Sequence, residues 1–260
     1  MTTIQDIAEL IEASAPRQLA EEWDNVGLLV GDGRRPARRI MTCLTITPGS
    51  AAEAVREKAD LVVTHHPLPF RPLKRLTSGT PEGRMLLDLI EAHVAVYSAH
   101  TAFDSAAKGI NQQLAQGLGL AQIEPIVPGD ELSGSGRMGR LQTPQTLAEL
   151  VERVKAFLAI EHLQYVGDDA HQVRKLGIAC GSGGDFLDAA QSKGCDCLLT
   201  GETRFHTALA AEAQGVGLIL AGHFASERFA LVQLAGWLDE WLPGVHVWPS
   251  RSERDPVRWA

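Results

Sequence analysis

Aromatic residues make up only 5% of this 260-residue chain, and cysteine occurs four times. Cys43, Cys180, Cys195 and Cys197 each lie in an apolar, strand-like run with no CxxC among them. That pattern argues against a disulfide framework or a thiolate zinc site and reads as reduced core residues. Cys195 and Cys197 are two apart, so they point to one face of the same expected strand. No apolar run approaches the roughly 20 residues that a membrane-crossing helix requires. The start, Met1-Thr2-Thr3-Ile4-Gln5-Asp6, lacks the basic-then-apolar order of a signal peptide. A cytoplasmic chain with no membrane partner is therefore expected. Basic residues are also in deficit: Lys plus Arg number 24 against 32 Asp plus Glu, giving a formal net charge of −8. This speaks against a protein that coats a nucleic-acid backbone and suits cation binding. A nucleic-acid partner would need a local basic patch, drawn from Arg71, Lys74, Arg75, Arg137 and Arg140, which reads more simply as a solvated loop surface.

The 45% of hydrophobic residues is enough for a sizeable core. Ile4, Ile7, Leu10 and Ile11 recur at helical spacing, with Thr3 and Asp6 placed to cap the helix. Beyond the polar turn Glu22-Trp23-Asp24-Asn25, apolar strands and amphipathic helices alternate. Strands are expected at Ile40 to Ile46, Asp60 to Thr64 and Val94 to Ser98, and helices at Gly49 to Lys58, 81 to 92 and Ile110 to Leu118. Residues 124 to 140, rich in Gly and Pro, read as a connection. After it the alternation restarts, with helices at Leu147 to Leu158, Phe186 to Ser192, Thr207 to Gln214 and Glu227 to Trp241. Strands are expected at Leu176 to Cys180, Cys195 to Thr200 and Gly217 to Ala221. This is the pattern of an α/β protein with mostly parallel sheets, in two similar lobes, 1–125 and 126–260.

Ligands of parallel α/β sheets collect beyond the carboxyl ends of the strands. Leu61-Val62-Val63-Thr64 runs into His65-His66, Val94 to Ser98 into His100 and Asp104, and Leu218 to Ala221 into His223 and Glu227. Each piece alone has a plain reading: a polar turn, a helix cap, a surface pair four residues apart. Together they supply five N/O donors at equivalent topological positions. Imidazole with carboxylate and no thiolate suits Zn, Mn, Fe or Co. Five donors are too many for one open catalytic zinc and suit two divalent metal ions, whose chemistry is hydrolysis. His100, not needed as a ligand, is a candidate proton shuttle, or a histidine hydrogen-bonded at a strand end. Gly181-Ser182-Gly183-Gly184-Asp185 could cradle a phosphate, but it reads first as a tight strand-to-helix turn. His206 and Glu202 follow the Cys195 to Thr200 strand, so they are candidates to line the same cleft. The tail tryptophans Trp237, Trp241, Trp248 and Trp259 read as packing or subunit contacts.

Six motifs, in order, resemble the Nif-three-like family, the type-two GTP cyclohydrolase I homologues. They are Trp23-Asp24-Asn25-Val26-Gly27-Leu28, Thr64-His65-His66-Pro67, and Tyr97-Ser98-Ala99-His100-Thr101 with Asp104. Cys180 to Asp185, Thr200-Gly201-Glu202 with His206, and Gly222-His223-Phe224-Ala225-Ser226-Glu227-Arg228 complete the series. The resemblance implies two α/β lobes with a dinuclear metal site in the cleft between them. It implies His65, His66, Asp104, His223 and Glu227 as ligands, and a ring-shaped homohexamer. A metal-dependent hydrolase of a nucleotide or another small anionic substrate is the expected function. A ring-forming scaffold with structural or regulatory metals is the alternative. Thr45, Ala102 and Glu202 depart from the family pattern, where aspartate, asparagine and aspartate are expected.

Overall fold

Runs such as Leu61-Val62-Val63-Thr64 and Ala95-Val96-Tyr97-Ser98 are mainly apolar, end on a hydroxyl residue and are buried at every position, as strands covered on both faces must be. In the computed structural model, which describes residues 1–129 and 133–260, they lie beside each other in the first of two compact units. This unit comprises Met1–Phe103 with Ala230–Pro256. Its sheet has the order Gly27–Val30, Ala95–Ser98, Leu61–Thr64, Arg39–Cys43, His246–Pro249. All pairings are parallel except that of the edge strand Gly27–Val30. The covering helices begin where the sequence supplies caps. Thr3 and Asp6 form a capping box on Ile4–Ser14, Thr47 caps Pro48–Arg56, and Thr80 caps Pro81–Glu91. Met41, Val62, Leu86, Leu89, Val96 and Trp248 pack together in the core.

The second unit comprises Asp104–Phe229 with Val257–Ala260. Its six-stranded sheet runs Ala121–Glu124, Arg137–Thr146, Gln172–Ala179, Cys197–Thr200, Gly217–Leu220, Gln164–Val166. The central three strands are parallel, and the flanking ones antiparallel. Thr146 and Glu149 form a capping box on helix Leu147–Leu158. Ile126, Met138, Ala179, Leu187, Leu198 and Leu218 form the core. The expected mostly parallel α/β architecture thus holds at the centre of each sheet.

The two units differ from the halves 1–125 and 126–260. The reason is pairing: His246–Pro249 adds to Arg39–Cys43 in the first unit's sheet, and Ala121–Glu124 adds to Arg137–Thr146 in the second. The expected connection 124–140 therefore contains the end of one strand and the start of another, with a short ladder of Val127–Pro128 on Gly134–Ser135 between them. Its residues 130–132 lie outside the described residues. Arg137 corrects another expectation. Arg71, Lys74, Arg75 and Arg140 are exposed, but Arg137 is buried. Its guanidinium donates to the carbonyls of Ser105, Ala106, Gly134 and Gly136 and to Gln112 Oε1. Four of the fork's five donors are spent on the backbone of a turn and a helix end and the fifth on Gln112, where a solvated arginine would leave them to water.

Glu53 is the counterpart in the first unit. Its buried carboxylate accepts from Trp248 Nε1 at 3.2 Å, Ser250 Oγ at 2.8 Å, Arg251 N at 3.0 Å and Ser252 N at 2.8 Å. Burial opposes its ionisation, but these donors outweigh burial and hold the carboxyl below the usual glutamate range. The stabilisation is present above the unfolded value of about 4.3 and is lost as pH falls through the lower folded value. Glu53→Gln should cost roughly 2 kcal/mol at pH 7, the scale of hydrogen bonds to a charged acceptor. It should also flatten the acid limb of stability against pH, read by urea denaturation between pH 7 and pH 3. An unchanged midpoint at pH 7 would remove Glu53 as the anchor of the C-terminal strand.

Candidate metal centre

Register decides which side chains meet. In the first unit Cys43 pairs with Thr64, and Thr64 with Ser98, so the residues after three parallel strands leave the sheet at one edge. The antiparallel strand begins there too, because Gly27 pairs with Ser98. Four segments converge: Thr45, His65 with His66, His100, and the turn Trp23-Asp24-Asn25. Thr64 Oγ1 donates to the carbonyls of Leu44 and His66, and Ser98 Oγ to that of His65 at 2.6 Å, closing the backbone where the ladder ends.

The imidazoles of His65, His66 and His100 have ring centroids 5.0, 5.1 and 5.5 Å apart. One ligand-capable atom of each lies within 4.8 Å of the others, close enough to hold one ion. His65 and His100 are buried, and His66 is half-buried. His66 Nδ1 lies 2.6 Å from Thr45 Oγ1, and His100 Nδ1 lies 2.7 Å from Asp24 Oδ1. Burial opposes the charge on Asp24, yet bonds from His100 and Thr101 outweigh it and hold the carboxyl down at about 2. The rings of Trp23 and Phe70 meet His100 edge-on, with centroids 5.9 and 5.8 Å away.

The second unit repeats the device. Ala179 pairs with Thr200, and Thr200 with Leu220, so Cys180-Gly181, Gly201-Glu202 and Gly222-His223 leave at one edge. The last helix starts at His223, earlier than the expected Glu227, and this puts His223 and Glu227 on one face. His223 donates from Nδ1 to Glu202 Oε1 at 3.0 Å, and its Nε2 forms an ion pair with Glu227 Oε2 at 3.1 Å. The bond to the buried Glu227 is the main reason its pKa is pushed up to about 9, with Glu202 adding to it. A divalent cation would replace the proton shared between these two groups, since metal ligands bind deprotonated. The three imidazoles lie close enough to hold an ion, and His223 with Glu227 offers the imidazole and carboxylate donors that divalent metals take.

Asp104 lies on the short helix His100–Ser105. Its Oδ1 accepts from Cys180 Sγ at 3.2 Å. Asn111 ties the two residues further, donating to Asp104 O at 3.2 Å and accepting from Cys180 N at 2.8 Å. Cys180 is therefore a polar neighbour of a candidate ligand and not an inert core thiol; burial pushes its thiol well up. Nothing in its sequence surroundings separates it from Cys195 and Cys197, which are core residues.

The glycine loop is a packed turn. Gly181 N donates to Ser226 Oγ and Gly183 N to Thr200 Oγ1, so these N–H groups are spent within the chain. His206 is exposed, its ring beside Phe205.

A model of the Duf34/NIF3 (NGG1p interacting factor 3) family matches residues 2–256. The chain belongs to that family. A Clostridium acetobutylicum protein named GTP cyclohydrolase 1 type 2 homolog is 33% identical over 263 residues, covering 98% of each chain. A Schizosaccharomyces pombe protein named NIF3 homolog is 36% identical over 236 residues, covering 85% of this chain and 84% of its own. A Staphylococcus aureus crystal structure superposes with a TM-score of 0.90 at 25% identity, covering 99% of each chain.

Two departures from the expected Duf34/NIF3 pattern now have a physical reading. Thr45 and Glu202 each place an oxygen on the Nδ1 of a histidine, as an aspartate would. Ala102 is buried and offers no hydrogen bond. Gly181 has φ +60°, and a Cβ there would overlap Glu227 Oε1 and lie 3.3 Å from His223 Nε2. Gly181→Ala should therefore lose about 1–3 kcal/mol of stability, from the left-handed backbone and the displaced carboxylate together. A control substitution, Gly194→Ala, has the same backbone penalty with nothing within 4 Å of the new Cβ. Equal losses in the two variants, read by chemical denaturation, would show that the Glu227 contact adds nothing.

Proposed function

We propose that the chain is a metal-dependent hydrolase in which His65, His66, Asp104, His223 and Glu227 hold two divalent ions. The substrate is a nucleotide or another small anionic molecule. The observation that carries this reading is the tethering of His66, His100 and His223 by Nδ1 to Thr45, Asp24 and Glu202. Oxygen partners on one ring nitrogen orient the other nitrogen for a metal or a proton. Bound divalent ions acidify a water molecule and stabilise a developing oxyanion.

The chain's own groups divide the remaining work. Thr45 and Glu202 orient the ligand imidazoles, and His100 holds or moves a proton at Nε2. The mixed imidazole and carboxylate set suits Zn, Mn, Fe or Co. Relatives named GTP cyclohydrolase 1 type 2 homologs make GTP ring opening one specific version of the reaction. Assembly into a homo-oligomer, the family's hexamer being the expected form, draws support from an apolar groove of about 580 Å³ in the first unit. Leu29, Leu73, Leu76, Leu86 and Ile90 line it. A nucleic-acid scaffold has less support, since the net charge is −8 and Arg137 is withdrawn into the core. No helix among the described residues is long and apolar enough to cross a membrane.

Elemental analysis of the purified protein tests the assignment. About two transition-metal ions per chain are expected, falling sharply in His65→Ala and Glu227→Ala. Metal content unchanged in both variants would sink the ligand set. His100→Ala should keep its metal and lose hydrolysis in a screen of nucleotides and phosphoesters; loss of metal there would make His100 a ligand.

A further inference from the structure

The turn Trp23-Asp24-Asn25 has a role that packing does not explain. Asp24 carries a side chain only 1% exposed, far from Thr101 and His100 in sequence. Its two oxygens divide their work. Oδ1 faces His100 Nδ1 at 2.7 Å and accepts from Asn25 N at 2.8 Å, and Oδ2 accepts from Thr101 N at 3.1 Å and from Thr101 Oγ1. Thr101 Oγ1 in turn accepts from Glu21 N at 3.0 Å, which binds the turn to the start of the helix. Asn25 Nδ2 donates to Pro69 O at 2.9 Å and ties in the following loop.

A carboxylate can only accept hydrogen bonds, so Nδ1 of His100 must carry the hydrogen. In a neutral imidazole the lone pair is then on Nε2. The backbone of His100 has φ +24°, outside the range a non-glycine residue ordinarily adopts. Such a conformation persists where its surroundings hold it, and here the Asp24 and Thr101 contacts do so.

We propose that Asp24 is a positioning residue for His100: it fixes the neutral ring as the Nδ1–H tautomer and leaves Nε2 as the nitrogen available to a proton or a substrate. The consequence for chemistry rests on the proposed hydrolase reading; the tautomer does not. Each oxygen already accepts from a backbone N–H, Asn25 N on Oδ1 and Thr101 N on Oδ2, so an amide at position 24 would not fix one orientation. Alanine at position 24 removes the acceptor at Nδ1 altogether and with it the selection of the Nδ1–H form. The aspartate of the serine-protease triad selects its histidine's tautomer in the same way.

Long-range ¹⁵N–¹H spectra of the ¹⁵N-labelled full-length protein read the tautomer directly. They are recorded metal-free and zinc-loaded at about pH 8, above the ordinary histidine value of about 6.5. The wild type should show His100 protonated at Nδ1 and bare at Nε2. Asp24→Ala should lose the Nδ1–H form as the sole tautomer and gain the Nε2–H form, while Thr101→Val, which keeps the Asp24–His100 bond, should not. A proton on Nε2 in the wild type, or Nδ1–H as the sole form in Asp24→Ala, overturns the proposal. If Asp24→Ala does not fold, the wild-type spectrum alone decides. Zinc per chain, measured on the same samples, separates the two readings. No zinc in the wild type would overturn the metal assignment and leave the tautomer result standing.

Discussion

The parallel register of the strands is the constraint on which everything else in each unit rests. Thr64 lies level with Cys43 and Ser98, and Thr200 lies level with Ala179 and Leu220. A slip of one residue would turn each strand's side chains to the opposite face and carry the following histidine away from its partners. The buried hydroxyls of Thr64, Ser98 and Thr200 enforce the register at its end. They satisfy carbonyls of the turns just past the ladder, including Gly181 O. Leaving such carbonyls unpaired would cost about 1–3 kcal/mol each, so the turns carrying the histidines are as firmly specified as the strands.

Upon that frame the polar groups follow one rule: an oxygen sits on Nδ1 of His66, of His100 and of His223. The oxygen comes from a threonine, an aspartate and a glutamate respectively. The rule constrains the position of an oxygen more than the identity of the residue that supplies it. That explains how Thr45 and Glu202 stand where aspartate is expected while the imidazoles keep their orientation. It also sets the tolerance of the site, because a replacement must place its oxygen within hydrogen-bond reach of one ring nitrogen.

Much of the fold was legible in the chain. Capping boxes at Thr3 and Thr146 and the Pro at the first turn of Pro48–Arg56 and Pro81–Glu91 mark helix starts through local chemistry. Buried strands such as Leu61–Thr64 announce themselves as continuous apolar runs. The edge strands Gln164–Val166 and His246–Pro249 do not. They are three and four residues long and partly exposed, so they carry neither a run nor a clear alternation. The start of the last helix at His223 was also hidden, because no capping signal precedes it.

What the sequence determined by itself was the alternation of elements and the chemical types of the donors placed after the strands, since both depend on residues near one another in the chain. Tertiary structure decided the partners. Asp24 meets His100, Glu53 holds the tail at Ser250 to Ser252, Cys180 meets Asp104, and Arg137 closes the carbonyls of Ser105 and Ala106. Each of these pairs is separated by more than thirty residues, and only the order and register of a sheet bring such residues within hydrogen-bond distance. A hydrogen bond needs placement within a few tenths of an ångström, and periodicity in a sequence carries no such information.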